Sequence, residues 1–174
     1  MADVPDTIDL DRHRELASWG YNRPIRYIVL ALGCTILVLG LFNVFGQKPR
    51  TWNADSTQAS LELYAPSHVR GGLLYEARFT IRAHQALTHA VLQLSPGWAE
   101  SQQINTIEPS PVAETSRNGS LLLTLGAVPK GQHFTLYMEF QVDPTNVGRR
   151  SADVALYDAD KRLLSIDRKL TVFP

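Results

Sequence analysis

Tyr75-Glu76-Ala77-Arg78-Phe79-Thr80-Ile81-Arg82 alternates between apolar and polar or charged side chains without a break. Successive side chains of a β-strand point to opposite faces, so a period of two marks a half-buried strand. Tyr75, Ala77, Phe79 and Ile81 would face a core. Glu76, Arg78, Thr80 and Arg82 would face water. A helix would scatter the same residues around its axis.

The pattern repeats on both sides. Upstream, Ala59, Leu61 and Leu63 alternate with Ser60, Glu62 and Tyr64, and Arg70-Gly71-Gly72 is a turn signal. Downstream, Ala90, Leu92 and Leu94 precede the breaker Ser95-Pro96-Gly97. Asn118-Gly119 turns into Leu121, Leu123 and Leu125, and Pro129-Lys130-Gly131 turns again. Phe134, Leu136, Met138, Phe140 and Val142 then alternate with polar residues. Residues 152–157 and 162–173 form a last pair around the hairpin loop Asp158-Ala159-Asp160-Lys161. No helical pattern of domain length separates these segments. Seven to eight short strands joined by polar turns indicate an all-β antiparallel sandwich rather than a parallel α/β sheet. Its expected interior is Tyr75, Ala77, Phe79, Ile81, Leu92, Leu123, Phe134, Leu136, Met138 and Phe140. Residues 100–117 lack alternation, although Ile104 and Ile107 suit a short edge strand.

A different pattern precedes the strands. Residues 27–45 carry no formal charge. That is about nineteen residues, or about 28 Å of helix, close to the hydrocarbon thickness of a bilayer. A cleaved signal peptide would need a shorter leader and a small-x-small site. Ala31-Leu32-Gly33-Cys34 loosely resembles a lipobox, but the apolar run continues beyond Cys34. An uncleaved signal anchor fits best. Arg12, Arg14, Arg23 and Arg26 precede the run, against Lys48 and Arg50 after it, which favours a cytoplasmic N-terminus. Trp19, Tyr21 and Tyr27 suit one interfacial belt, and Phe45 and Trp52 the other. The expected organisation is a cytoplasmic tail (1–26), a transmembrane helix (27–46), a linker (47–57) and an exported β-sandwich domain (58–174). The chain would sit in the inner or plasma membrane, with its C-terminal domain periplasmic or extracellular. The tail would be either a solvated segment on the membrane surface or a docking helix.

Arg70-Gly71-Gly72-Leu73-Leu74-Tyr75 and the alternating strand that follows resemble the opening of bacterial cell-surface Ig-like domains of the cell-adhesion-related type. Leu125-Gly126-Ala127-Val128-Pro129-Lys130-Gly131, between two long strands, is similar to a later passage of that family. The resemblance covers roughly residues 58–174. It implies an Ig-like β-sandwich that acts as a spacer or binding module, with no active site to carry over.

The residues themselves show little chemistry. Seventeen basic and 17 acidic side chains balance, which argues against a nucleic-acid partner. Cys34 is the single cysteine, so a multiple-cysteine zinc site is excluded. His13, His68, His84, His89 and His133 include no pair at helical metal-site spacing. No Gly-x-Ser-x-Gly elbow and no phosphate-cradling glycine loop occurs. Asp158, Asp160 and Asp167 allow either a weak Ca²⁺ site or plain turn chemistry. No cofactor is expected.

Two sets of residues remain as interaction candidates. Gly33, Gly40 and Asn43 fall within roughly 80° of one another on a helix, and small residues with one amide suit helix–helix packing. Asn43 could equally be hydrated at the outer interface. Gln103, Ile104, Ile107, Pro109 and Pro111 lie in the non-alternating stretch, where a loop on a rigid scaffold would contact a partner. The expectation is a non-catalytic single-pass protein, an accessory or assembly subunit of a membrane or envelope complex. Its partners would be the lipid bilayer, a membrane protein through the helix and an envelope partner through the sandwich. The alternative is a stand-alone surface binding or adhesion module for an envelope polymer or protein.

Overall fold

The computed structural model describes residues 22–42, 44, 46–100 and 102–174. The chain divides into two units, 1–46 and 47–174. Most of the N-terminal tail, Asn43 and Phe45 lie outside the described residues, as do Trp19 and Tyr21 of the proposed belt.

In the first unit, α1 spans Asn22–Leu41. It begins before the uncharged run and stops short of residue 46. Pro24 does not interrupt it. In the first turn of a helix a backbone N–H has no intrahelical partner, so proline removes nothing there. The segment Pro24–Leu41 has a mean hydropathy of 2.0. Its one hydroxyl in the middle, Thr35 Oγ1, donates to the Ala31 carbonyl at 2.8 Å and so carries its own partner.

The second unit is built on two five-stranded sheets. In the first, the order is β1 (Pro49–Asp55), β2 (Ala59–Pro66), β4 (Leu74–Ala83), β9 (His133–Val142) and β6 (Gln102–Glu108). In the second it is β12 (Lys161–Ile166), β11 (Val154–Asp158), β5 (Leu87–Leu94), β8 (Ser120–Val128) and β7 (Ala113–Arg117). A smaller sheet joins β10 (Gly148–Ser151), β13 (Lys169–Phe173) and β3 (His68–Arg70). The pairing is antiparallel except between β13 and β3, which run parallel.

The alternating stretch at 75–82 is β4, at the middle of the first sheet, with Tyr75 opposite Phe140 and Phe79 opposite Leu136. Tyr75, Ala77, Phe79, Ile81, Leu92, Leu123, Leu136, Met138 and Phe140 are all buried, and Phe134 is half-buried against them. A large contributor not anticipated is Trp98, fully buried in the short 3₁₀ turn Pro96–Trp98. Its ring packs on Phe79 and Phe140 with centroids 5.4 and 5.2 Å away.

The described residues form thirteen strands rather than seven or eight. The additional ones are edge strands and strands that change sheet. Residues 47–57 are not a linker: β1 pairs with β2 along its length, from Pro49 opposite Pro66 to Asp55 opposite Ser60. β1 lies at the sheet edge, and of its side chains only Trp52 and Ala54 pack against the core, too few to show a period. Pro49 is tolerated at a strand's first position. Residues 162–173 are not one strand either. They split at Asp167-Arg168 into β12 and β13, which belong to different sheets.

The register defines two ends. The chain enters the sandwich where Pro49 faces Pro66. That entry end also holds Arg70 to Leu73, Pro144 and the end of β13. The far end holds residues 56–58, the β8–β9 turn with Lys130, and the β11–β12 turn.

Candidate interaction surfaces

Arg168 is the one charged residue buried among the described residues, at 3% exposure. The β12–β13 break places it. Its backbone N–H donates to Asp153 Oδ1 at 2.8 Å, and its carbonyl accepts from Ala152 N–H at 2.8 Å. The guanidinium lies between two indoles, 4.9 Å from the Trp52 centroid and 4.8 Å from that of Trp98. Stacking on an aromatic face suits a planar, weakly hydrated cation. Nη2 donates to the Pro66 carbonyl, while Nε and Nη1 have no protein partner. Burial pulls the guanidinium down to about 10, countered by Tyr75, and still leaves it charged at neutral pH. Burial also pushes the Tyr75 phenol well above its usual range.

Around this cation the polar groups find partners within the fold. Tyr75 OH donates to Gln102 Oε1 at 2.8 Å, and Gln102 Nε2 donates to the Gly97 carbonyl at 2.9 Å. Trp98 Nε1 donates to the Asp153 carbonyl at 3.2 Å. Gly97 itself is pressed so closely to the chain that a Cβ would stand 1.7 Å from the Ser151 carbonyl oxygen. The assembly ties β1, the 3₁₀ turn, β6 and the β12–β13 break into one block. Its polar groups around the cation are engaged with one another, and they hold these segments together. Trp52, expected at the membrane interface, is one of its walls.

The sequence-chosen residues fall elsewhere. No atom outside their own helix neighbourhood lies within 4 Å of a Cβ built on Gly33 or Gly40, and Asn43 is outside the described residues. Gln103, Ile104 and Ile107 lie on β6, which pairs with β9. Residues 100–117 are therefore largely two strands rather than a loop. The β6–β9 register shifts between Ile104 and Thr106, and such a bulge hides a period of two. All five residues of β7 are exposed, so no apolar alternation marks them. Pro109, exposed, and Pro111, half-buried, occupy the crossover that carries the chain from the first sheet to the second. Both strands are sheet edges, each with one open side.

A shallow groove of about 620 Å³ crosses the second sheet, lined by Gln93, Thr115, Arg117, Tyr157 and Asp160 among others. The Asp158 carboxylate accepts from the Thr88 and His89 backbone N–H groups at 2.9 and 2.8 Å and from Thr88 Oγ1 at 3.2 Å. That oxygen is engaged in holding the turn. His84 Nε2 meets Asp55 Oδ1 at 2.9 Å on the surface. His68 stacks on Phe173 with ring centroids 5.7 Å apart. Among the described residues, no three His, Cys, Asp or Glu side chains are grouped to hold a metal ion.

No protein-family model and no curated protein matches the chain. Solved structures of similar shape include the CARDB domain of a Pyrococcus furiosus protein, determined in complex with di-metal ions. It has a TM-score of 0.44 and 11% identity, over 71% of this chain and 95% of that one. A non-cellulosomal cohesin from Archaeoglobus fulgidus gives 0.39 and 16%, over 63% and 88%. CaCohA2 from Clostridium acetobutylicum gives 0.43 and 13%, over 68% and 92%. By its own strand pairing and core, the protein is an all-β sandwich preceded by one apolar helix.

Proposed function

We propose that the chain is a non-catalytic, single-pass membrane protein whose sandwich serves as a binding module, acting as an accessory or assembly subunit of a larger membrane or envelope complex. One observation carries this reading. The helix segment Pro24–Leu41 is apolar apart from Arg26 near its start and Thr35, and Tyr27, Ile28, Leu37 and Leu41 are exposed at 66–87% on different faces. Such a surface calls for lipid or another helix as its cover. The arginines before the helix and in its first turns, against Lys48 and Arg50 after it, favour an N-terminus inside and the sandwich outside. The Asp158 and Asp153 carboxylates are engaged by backbone N–H groups in turns and at the buried arginine, which supports a binding role.

For the sandwich, the adjoining open edges of β6 and β7 are the preferred partner surface. An extended segment can add to an exposed sheet edge through main-chain hydrogen bonds. Gln103, Ile104, Ile107, Pro109 and Pro111 would frame that contact. Gly33, Gly40 and Asn43 would face a partner helix. Purification of the full chain in mild detergent tests the reading, with Gln103→Lys and Thr115→Lys placed together on the open edges. A stoichiometric membrane partner, weakened by the double variant while the fold is retained, supports it. Isolation of the anchored chain alone overturns the subunit role. That outcome favours the second reading, a stand-alone module, to which the polar groove with Arg117, Tyr157 and Asp160 would contribute an open site for an envelope polymer.

A further inference from the structure

In the second unit, six large apolar side chains are well exposed among the described residues: Leu73, Leu74, Val112, Tyr137, Val147 and Phe173. Four of them meet at the entry end. Gly71 N–H donates to the Phe173 carbonyl at 2.8 Å, and the Leu73 carbonyl accepts from Val142 N–H at 3.1 Å. Gly148 pairs with Val172, which puts Val147 beside Phe173. These tips are held firmly. A Cβ on Gly71 would meet Pro144 at 3.0 Å, so the two turns press directly on each other.

Charge surrounds the apolar tips. Lys48, Arg50, Arg70 and Arg149 are exposed at this end. The nearby acids are Glu76, exposed on β4, Glu100, whose carbonyl accepts from Arg150, and Asp143, whose carboxylate is held below its usual range chiefly by the Thr145 backbone N–H. Cations therefore outnumber acids here, in a chain whose formal net charge is zero.

Chain length supplies the occupant. Eight residue steps separate Leu41, the last residue of α1, from Pro49. Fully extended, they span at most about 28 Å. Whatever the arrangement of the two units, the first strand starts within that distance of the helix end.

We propose that the entry end of the sandwich is a second membrane contact, in which Leu73, Leu74, Val147 and Phe173 enter the headgroup boundary of the bilayer and the surrounding lysine and arginines meet anionic lipid. The inference rests on α1 being a membrane anchor. Apolar tips ringed by cations are the chemistry that a lipid interface recognises. Seating this end also turns the far end and the β6–β7 edges away from or along the membrane in a fixed orientation.

The test uses the full chain in nanodiscs, with Cys34→Ser as background and a fluorophore on Leu73→Cys, Val147→Cys or, at the far end, Lys130→Cys. Headgroup-nitroxide lipid is the quencher, in zwitterionic and in anionic discs, and thermal melting checks that each variant is folded. The expected result is severalfold stronger quenching at 73 and 147 than at 130, greater in anionic lipid, and reduced at 147 when Leu74→Glu and Phe173→Glu are added. A chain held in the disc with equal quenching at all three positions overturns the contact and leaves the anchor standing. Release of the chain from vesicles by alkaline carbonate overturns the anchor and the contact together. Equal quenching in both lipids, with the 73 and 147 signals intact, removes the anionic-lipid part of the proposal.

Discussion

The two ends of the sandwich are made from the same strands and are held in different ways. At the entry end a guanidinium lies between Trp52 and Trp98, Gly97 touches the Ser151 backbone, and Tyr75 stacks on Phe140 with centroids 5.1 Å apart. At the far end the core continues through Ala59, Ile81, Ala83, Leu87 and Val128, but the polar links between segments lie at the surface. His84 meets Asp55 at 2.9 Å, Lys161 Nζ donates to Gln58 Oε1 at 2.8 Å, and Asp158 holds its turn. Buried aromatic contacts are worth several kcal/mol when truncated, and exposed polar pairs are worth about 1 kcal/mol or less. The buried cation and the stacked aromatic rings therefore lie where the chain arrives from the helix, and the polar links of the far end are the weaker set.

The sharpest way to break this contrast is Trp98→Ala. It should cost about 3–5 kcal/mol, read by urea unfolding followed by circular dichroism. A cost near that of a far-end surface variant would mean that the arginine–indole block does not hold the domain. Gly97→Ala should come next, destabilising by about 2–3 kcal/mol because the new Cβ must displace backbone rather than a flexible side chain. Normal stability in that variant would show that the 3₁₀ turn can shift freely.

Alkaline pH tests the same end in another way. Burial raises the Tyr75 pKa in the fold, so its contribution is fully present below the unfolded value near 10 and is lost as pH climbs beyond it. Arg168 acts in the opposite sense. Its charged form is disfavoured by burial, a cost that is relieved above about 10. The difference between wild type and Tyr75→Phe isolates the tyrosine. The wild type should lose up to about 1.4 kcal/mol per pH unit more than the variant above pH 10. Parallel pH curves would place the phenol in contact with water.

The far end should respond weakly, and in one case favourably. Ala159 sits at φ 51° in the β11–β12 turn, a conformation that costs an alanine about 1 kcal/mol and a glycine little. Ala159→Gly should therefore stabilise by about 1 kcal/mol or slightly less, seen as a higher melting temperature. A loss instead would mean that the turn depends on the methyl group. His84→Ala should be the smallest effect, within about 0.5 kcal/mol. A larger cost would show that the far end is more tightly coupled than its exposure suggests.

By itself the sequence determined the fold class and the apolar helix. Both depend on periodicity, which is local: Tyr75 to Arg82 or Phe134 to Val142 can be read residue by residue, and so can an uncharged run. The buried set on β4, β5, β8 and β9 follows from it. What periodicity cannot show is decided by contacts far apart in the chain. β1 and β7 have no full apolar alternation because, at the sheet edges, only two side chains of β1 and none of β7 pack against the core. β6 loses its period at a bulge. Trp98 sits beside a proline and a glycine in what looks like a turn, yet among the described residues it is the largest fully buried side chain. Arg168 is the extreme case. Arginine normally stays at the surface, and nothing near it in sequence announces that Trp52, more than a hundred residues away, and Trp98 will close over it. The gathering of Leu73, Leu74, Val147 and Phe173 at one end is likewise a product of strand pairing. Hydrophobic pattern selects a strand's faces, and only tertiary packing decides which neighbours cover them and which are left to water or lipid.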